Sequence, residues 1–120
     1  MTVEEKAKAL FELAVEKKPK NPIAYDVRKK SPLWDFAIFV TVLSERQADA
    51  VMTSMRRGGK EQKIKMLHAE NAPDGGWALL DFGDVVIHVF TEEARKYYAL
   101  EKIFASCPTT TFGVKIEELD

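Results

Sequence analysis

The stretch Trp77-Ala-Leu-Leu-Asp81-Phe-Gly83-Asp84-Val-Val-Ile-His88-Val-Phe90 reads as a β-hairpin, and the rest of the chain is organised around it. Gly83-Asp84 has the composition of a two-residue turn of type II′, because glycine accepts the positive φ needed at its first position. Folding there pairs Phe82 with Val85, Leu80 with Ile87 and Ala78 with Val89. These six apolar residues form one face, which is core. The opposite face carries Asp81 with Val86, Leu79 with His88, and Trp77 with Phe90, since side chains alternate along a strand. That face mixes aromatics, aliphatics, an acid and an imidazole. Either a helix packs over it, or it is kept for a partner; large aromatics are enriched at binding interfaces.

Upstream of the hairpin, Ser44 and Gln47 have capping-box spacing, and Ala48, Val51, Met52 and Met55 follow at helical intervals. Arg56 and Arg57 suit the last turn of that helix, with Gly58-Gly59 as its stop. A strand through Ile64 to Leu67 is expected next. Two β-rich runs come earlier, Ile23 to Val27 and about Phe36 to Val42, linked through the turn signal Ser31-Pro32. The second run is apolar on both alternating sets, as in a strand covered on both faces. Thr2 and Glu5 form a capping box before an apolar stripe through Val3, Ala7, Leu10, Phe11, Ala14 and Val15. After the hairpin, Thr91 caps a third helix with Glu92 and Glu93 in its first turn. The order is helix, two strands, helix, three strands, helix: an α/β (α+β) domain with a mixed sheet of about five strands over residues 1–107, then a tail over 108–120 with little periodicity.

The bulk numbers narrow the function classes. A chain of 120 residues fits one domain. At 46% hydrophobic and 31% charged it has an ordinary globular composition, with core enough to fold without staples. A net charge of −1 provides no global field for nucleic acid, so little or no direct sequence-specific nucleic-acid binding is expected. One cysteine, Cys107, can form no internal disulfide and no Cys-based metal site, which suits a reducing compartment. The first residues alternate charged and apolar positions without a signal-type block, and the longest apolar run is far short of a membrane span. A cytoplasmic protein without membrane attachment is expected.

Motifs for catalysis fail on inspection. Asp81-Phe82-Gly83 matches the metal-binding tripeptide of kinases, but no glycine-rich loop or His-Arg-Asp segment accompanies it. Arg-Arg-Gly-Gly-Lys-Glu at 56–61 lacks the spacing of a phosphate-binding loop and reads as a helix terminus. Asp81, Asp84 and His88 are metal-ligand types, yet the hairpin puts Asp84 in the turn and His88 opposite Leu79. His68 has no ligand partner in sequence. Ser31, Ser44, Ser54 and Ser106 are available nucleophiles, none in a nucleophile elbow. Glu101 follows Tyr97 and Tyr98 by one turn, and is either solvated or hydrogen-bonded to a tyrosine. No cofactor, metal or catalytic residue is expected.

The run from Trp77 to Phe104 resembles the signature of the ribosomal silencing factor family (RsfS, Iojap). Trp77, Asp81, Gly83, Asp84, His88, Val89, Phe90, Arg95, Tyr98, Leu100 and Glu101 match it, with Phe82 where the family has tyrosine. Upstream, Asp26-Val27, Ser31, Asp35-Phe36, Thr41, Ser44, Arg46-Gln47 and Glu70 match in order, so the resemblance spans about residues 5–105. It implies a domain like the nucleotidyltransferase fold without its catalytic Gly-Ser and paired carboxylates. It further implies a non-enzymatic translational repressor that binds the large ribosomal subunit at its protein fourteen and blocks subunit joining; homodimers are common in such proteins. The partner-binding residues it implies are Trp77, Asp81, Glu70, Asn71, His88, Phe90, Arg95 and Tyr98, with basic groups on the partner suiting Glu70 and Asp81. The alternative is a nucleotide- or metal-binding enzyme derived from the same fold and using Asp81, Asp84 and His88. Two departures stand out. Val42-Leu43 replaces the family's Gly-Thr, and because valine resists positive φ either the strand-to-helix turn takes another path or the local surface differs. Asn71 replaces glycine, a milder change because asparagine tolerates the left-handed region.

Overall fold

The computed structural model describes residues 1–72 and 75–116. Its elements are α1 (Val3–Val15), β1 (Lys20–Asp26), β2 (Phe36–Val42), α2 (Glu45–Glu61), β3 (His68–Asn71), β4 (Trp77–Asp81), β5 (Val85–Thr91), α3 (Glu92–Tyr98), a 3-10 turn at Leu100–Lys102, and β6 (Thr109–Thr110). The sheet order is β3-β4-β5-β2-β1-β6. Among the described strands only β2 and β5 run parallel; the other neighbours are antiparallel.

The hairpin forms in the expected register, with Trp77 opposite Phe90, Leu79 opposite His88 and Asp81 opposite Val86. Gly83 has φ +98°, and the Phe82 N–H donates to the Val85 carbonyl at 2.9 Å to close the turn. Its alternation splits the core in two. Ala78, Leu80, Val85, Ile87 and Val89 pack with Leu10, Phe11, Val51 and Met55 under α1 and α2. Val86 and Phe90 pack with Tyr25, Ala37 and Phe39 on the other side, beneath α3 and the segment that follows it. Strand β2 is buried along its whole length, as expected for an apolar run lying between the two layers.

Capping chemistry sets the helix starts. Thr2 and Glu5 complete their reciprocal box, at 2.8 and 3.1 Å. Thr91 Oγ1 accepts from the Ala94 N–H at 3.2 Å. Ser44 caps α2, but Gln47 does not return to the cap: its Oε1 accepts from the Leu43 N–H, and its Nε2 donates to the Lys17 and Lys18 carbonyls. The turn from β2 into α2 therefore follows a path that Val42 and Leu43 tolerate, neither having positive φ. Asn71 likewise lies in extended β3 rather than in the left-handed region.

Four expectations need correction. Helix α2 does not stop at Gly58-Gly59 but runs to Glu61 and is terminated by Lys63 at φ +61°. The glycines instead permit close packing: a Cβ on Gly59 would lie 2.8 Å from the Ile64 carbonyl oxygen, and one on Gly58 would run into Leu13. The strand expected at Ile64–Leu67 forms later, at His68–Asn71, because Ile64 is drawn into the core by its N–H bond to the Gly59 carbonyl. The first strand begins at Lys20 rather than Ile23, with a bulge between the two. Lastly, the sheet has six strands rather than five. Thr109–Thr110 pair with Ala24 and Tyr25, and Phe112 sets its ring on Phe11 and Phe36, so part of the stretch past Pro108 packs on the domain.

Candidate functional site

Strand β4 lies one strand in from the edge and aims Trp77, Leu79 and Asp81 at the face shared with α3. On β3, Glu70 lies beside Leu79 and His68 beside Asp81, so both point the same way, and His68 Nε2 is 3.1 Å from Glu70 Oε1. Helix α3 is only seven residues long and reaches across part of this face. Its Tyr98 meets the Trp77 ring with centroids 4.8 Å apart. Trp77 is left half-buried, neither sealed in nor free. Glu70, Asn71, Ala72, Trp77, Leu79 and Tyr98 line a shallow groove of about 400 Å³.

The indole is held from below. Trp77 Nε1–H donates to His88 Nδ1 at 3.1 Å, and the ring stacks on Phe90 at 5.4 Å between centroids. His88 is 6% exposed, and its ring stacks on Phe39 at 4.8 Å. Burial alone pushes its pKa down to about 4, so it is neutral near pH 7 and its Nδ1 is free to accept. At the other end of β4, Asp81 Oδ1 accepts from the Gly83 N–H at 2.8 Å and, more weakly, from the Trp34 indole at 3.4 Å.

Of the eight residues singled out from sequence, Trp77, His88, Phe90 and Tyr98 form one aromatic stack, with Glu70 and Asn71 on its exposed rim. Phe90 and His88 are buried beneath the indole. Asp81 sits at the far end of the strand, and Arg95 belongs to a different assembly. Arg95 Nε and Nη2 donate to the two Glu101 oxygens at 2.6 and 3.0 Å, and its Nη1 donates to the Thr41 hydroxyl and the Asn21 carbonyl. Arg95 holds the Glu101 carboxyl below the usual carboxylate range. Glu101 Oε2 also accepts from the Tyr25 hydroxyl at 2.7 Å, and burial together with that bond raises the Tyr25 pKa to about 12. The tyrosine on Glu101 is thus Tyr25 rather than Tyr97 or Tyr98. The residue missed at the site is Trp34, whose partial burial against Asp81 no local spacing announces; its only signal is an aromatic two residues past the Ser31-Pro32 pair.

The alternative chemistry does not assemble. Asp84 Oδ1 pairs with Lys6 Nζ at 2.7 Å, and His88 spends Nδ1 on the indole. Among the described residues no group of three His, Cys, Asp or Glu side chains could hold a metal ion. No helix among them is long and apolar enough to cross a membrane. A larger groove of about 520 Å³ lies between α1 and α2, but its rim mixes Lys17, Arg46 and Arg57 with Glu16, Asp49 and Glu61, and selects no ligand charge.

Comparison with known proteins gives this geometry its context. The family model described as "ribosomal silencing factor during starvation" (RsfS) matches residues 1–120. A protein of Halalkalibacterium halodurans named ribosomal silencing factor RsfS is 35% identical over 104 residues, 83% of this chain and 89% of that protein. One of the same name from Chromobacterium violaceum is 33% identical, over 87% of this chain and 85% of its own length. Among solved structures, a Chromobacterium violaceum protein superposes with a TM-score of 0.82 at 32% identity, covering 88% of each chain. A Bacillus halodurans structure does so with a TM-score of 0.76 at 31% identity, covering 89% of this chain and 97% of that one. On sequence and fold together, this chain belongs to the RsfS family of ribosomal silencing factors.

Proposed function

We propose that this protein is a non-enzymatic repressor that binds the large ribosomal subunit through the Trp77 face, at ribosomal protein fourteen, and blocks subunit joining. The observation that carries the reading is the groove in which Glu70 and Asn71 from β3, Trp77 from β4 and Tyr98 from α3 converge around Leu79. A half-exposed indole on a rigid stack, rimmed by an acid, has the composition of a docking hot spot: large apolar area already ordered before contact. Blocking by occupancy requires no reaction, only that a rigid body stand where the small subunit must approach. The place of action is then the cytoplasm.

The test is cosedimentation of the purified protein with isolated large subunits, alongside a subunit-joining assay. Trp77→Glu puts an unpaired carboxylate in an apolar contact and is expected to weaken binding at least about a hundredfold. It should restore joining in parallel. Undiminished binding by that variant would remove Trp77 from the interface.

A further inference from the structure

The indole N–H of Trp77 ends on an internal acceptor rather than in solvent. An exposed tryptophan ordinarily leaves that N–H to water or to a partner, and its ring samples several rotamers. Here Nε1 lies 3.1 Å from His88 Nδ1, on the cross-strand neighbour of Leu79. The imidazole is itself clamped. It stacks on Phe39 at 4.8 Å and 26°, and on Phe90 at 5.8 Å and 9°. Those rings belong to β2 and β5, the parallel pair at the centre of the sheet. The order of the sheet's interior thereby reaches a side chain at its surface, through this hydrogen bond as well as through the Phe90 ring beneath the indole.

We propose that His88 is a positioning residue for docking: it accepts the Trp77 indole N–H and so fixes the ring in the orientation that the partner meets. This rests on the docking reading above and adds a role for a buried group that cannot itself offer much surface. The acceptor has to be a nitrogen or oxygen with a free lone pair reaching from that site, and imidazole further supplies a flat ring that stacks on both phenylalanines. Pre-ordering an anchor lowers the entropic cost of association, so loss of the bond weakens binding without removing any atom from the contact surface.

The experiment uses the full chain, in which the Trp77 indole N–H resonance is told from that of Trp34 by its absence in Trp77→Phe. His88→Leu cannot accept a hydrogen bond, whereas the amide oxygen of His88→Gln can. The indole N–H resonance of Trp77 reports the bond directly, and cosedimentation with large subunits reports docking. In His88→Leu the resonance should move towards that of a solvent-exposed indole and binding should fall about tenfold, the scale of one hydrogen bond. His88→Gln should restore both to within about threefold of the parent. Trp77→Phe, which keeps a ring but has no N–H, should weaken binding, and adding His88→Leu to it should weaken binding no further. If His88→Leu folds poorly, the indole resonance of the His88-intact chain decides the matter, and a position like that of a solvent-exposed indole overturns the inference. If His88→Leu binds like the parent while Trp77→Glu does not, the positioning role is wrong and the docking face stands. If Trp77→Glu also binds like the parent, the docking face itself is wrong. An unmoved indole resonance in His88→Leu overturns the inference whatever the binding result.

Discussion

Arg95 and Glu101 face each other across the end of α3, with guanidinium nitrogens 2.6 and 3.0 Å from the two carboxylate oxygens. This paired geometry is what arginine forms best with a carboxylate, and here it also holds Thr41 and Tyr25. It fastens the helix that carries Tyr98 to the central strand β2. Arg95→Ala leaves the partly buried Glu101 carboxylate without its cation and the Thr41 hydroxyl and Asn21 carbonyl without their donor. It should cost about 2 kcal/mol of stability in urea unfolding, less than for a fully buried pair because Glu101 is near the surface. The double variant Arg95→Ala/Glu101→Ala should be less destabilised than the sum of the two single variants.

The pH dependence of stability should carry the signature of His88. Its pKa is lowered from 6.5 to about 4 by burial, so the unfolded chain takes up a proton before the folded one does. Its contribution is complete above pH 6.5 and is lost as the pH falls from there to about 4. The full difference is roughly 3 kcal/mol, of which about 2 kcal/mol is gone by pH 5. Glu101 also loses stabilisation on acidification, but its pKa is lowered from 4.5, so its loss begins only beneath that value. Urea unfolding at pH 8 and pH 5 should show the fall, and His88→Gln should flatten it.

The two glycines of α2 should respond differently to the same substitution. At Gly59 a new Cβ meets the Ile64 backbone, which cannot move without shifting the chain out of the helix. Gly59→Ala is therefore expected to destabilise by about 1–3 kcal/mol despite the better helix propensity of alanine. At Gly58 the neighbour is the Leu13 side chain at the margin of the α1–α2 groove, which can turn aside. Gly58→Ala should come out near neutral, because a propensity gain of about 1 kcal/mol offsets the repacking. Thermal unfolding of the two variants side by side checks the order.

Charge at the groove rim should govern how fast the partner is found. Glu70 is exposed on the edge strand and shares the groove with Trp77. If the docking counterpart is basic there, Glu70→Lys should slow association several-fold at low salt, and the effect should shrink as salt is added. Stopped-flow association with large subunits over a salt series measures it. A rate that rises on charge reversal would place an acidic surface opposite.

Local chemistry made much of this protein legible from its sequence. A glycine able to take positive φ, set between two apolar runs, defined the register from Trp77 to Phe90, since a slip by one residue would exchange the two faces and turn Asp81 or His88 towards the core under α1 and α2. Thr2, Ser44 and Thr91 marked three helix starts because capping is a contact between near neighbours in the chain. Tertiary structure decided the rest. Whether Gly58-Gly59 ended α2 depended on Leu13 and Ile64, and the start of β3 on where the Ile64 side chain found the core. Arg95 found Thr41 and Asn21, and Trp34 found Asp81, only through packing between distant segments. Above all, the alternation of β4 could assign Trp77 to a face but not say how much of that face would be covered. That was decided by the short reach of α3 and by the depth of His88 beneath the indole, because exposure depends on the length and placement of the covering element and not on the strand that bears the side chain.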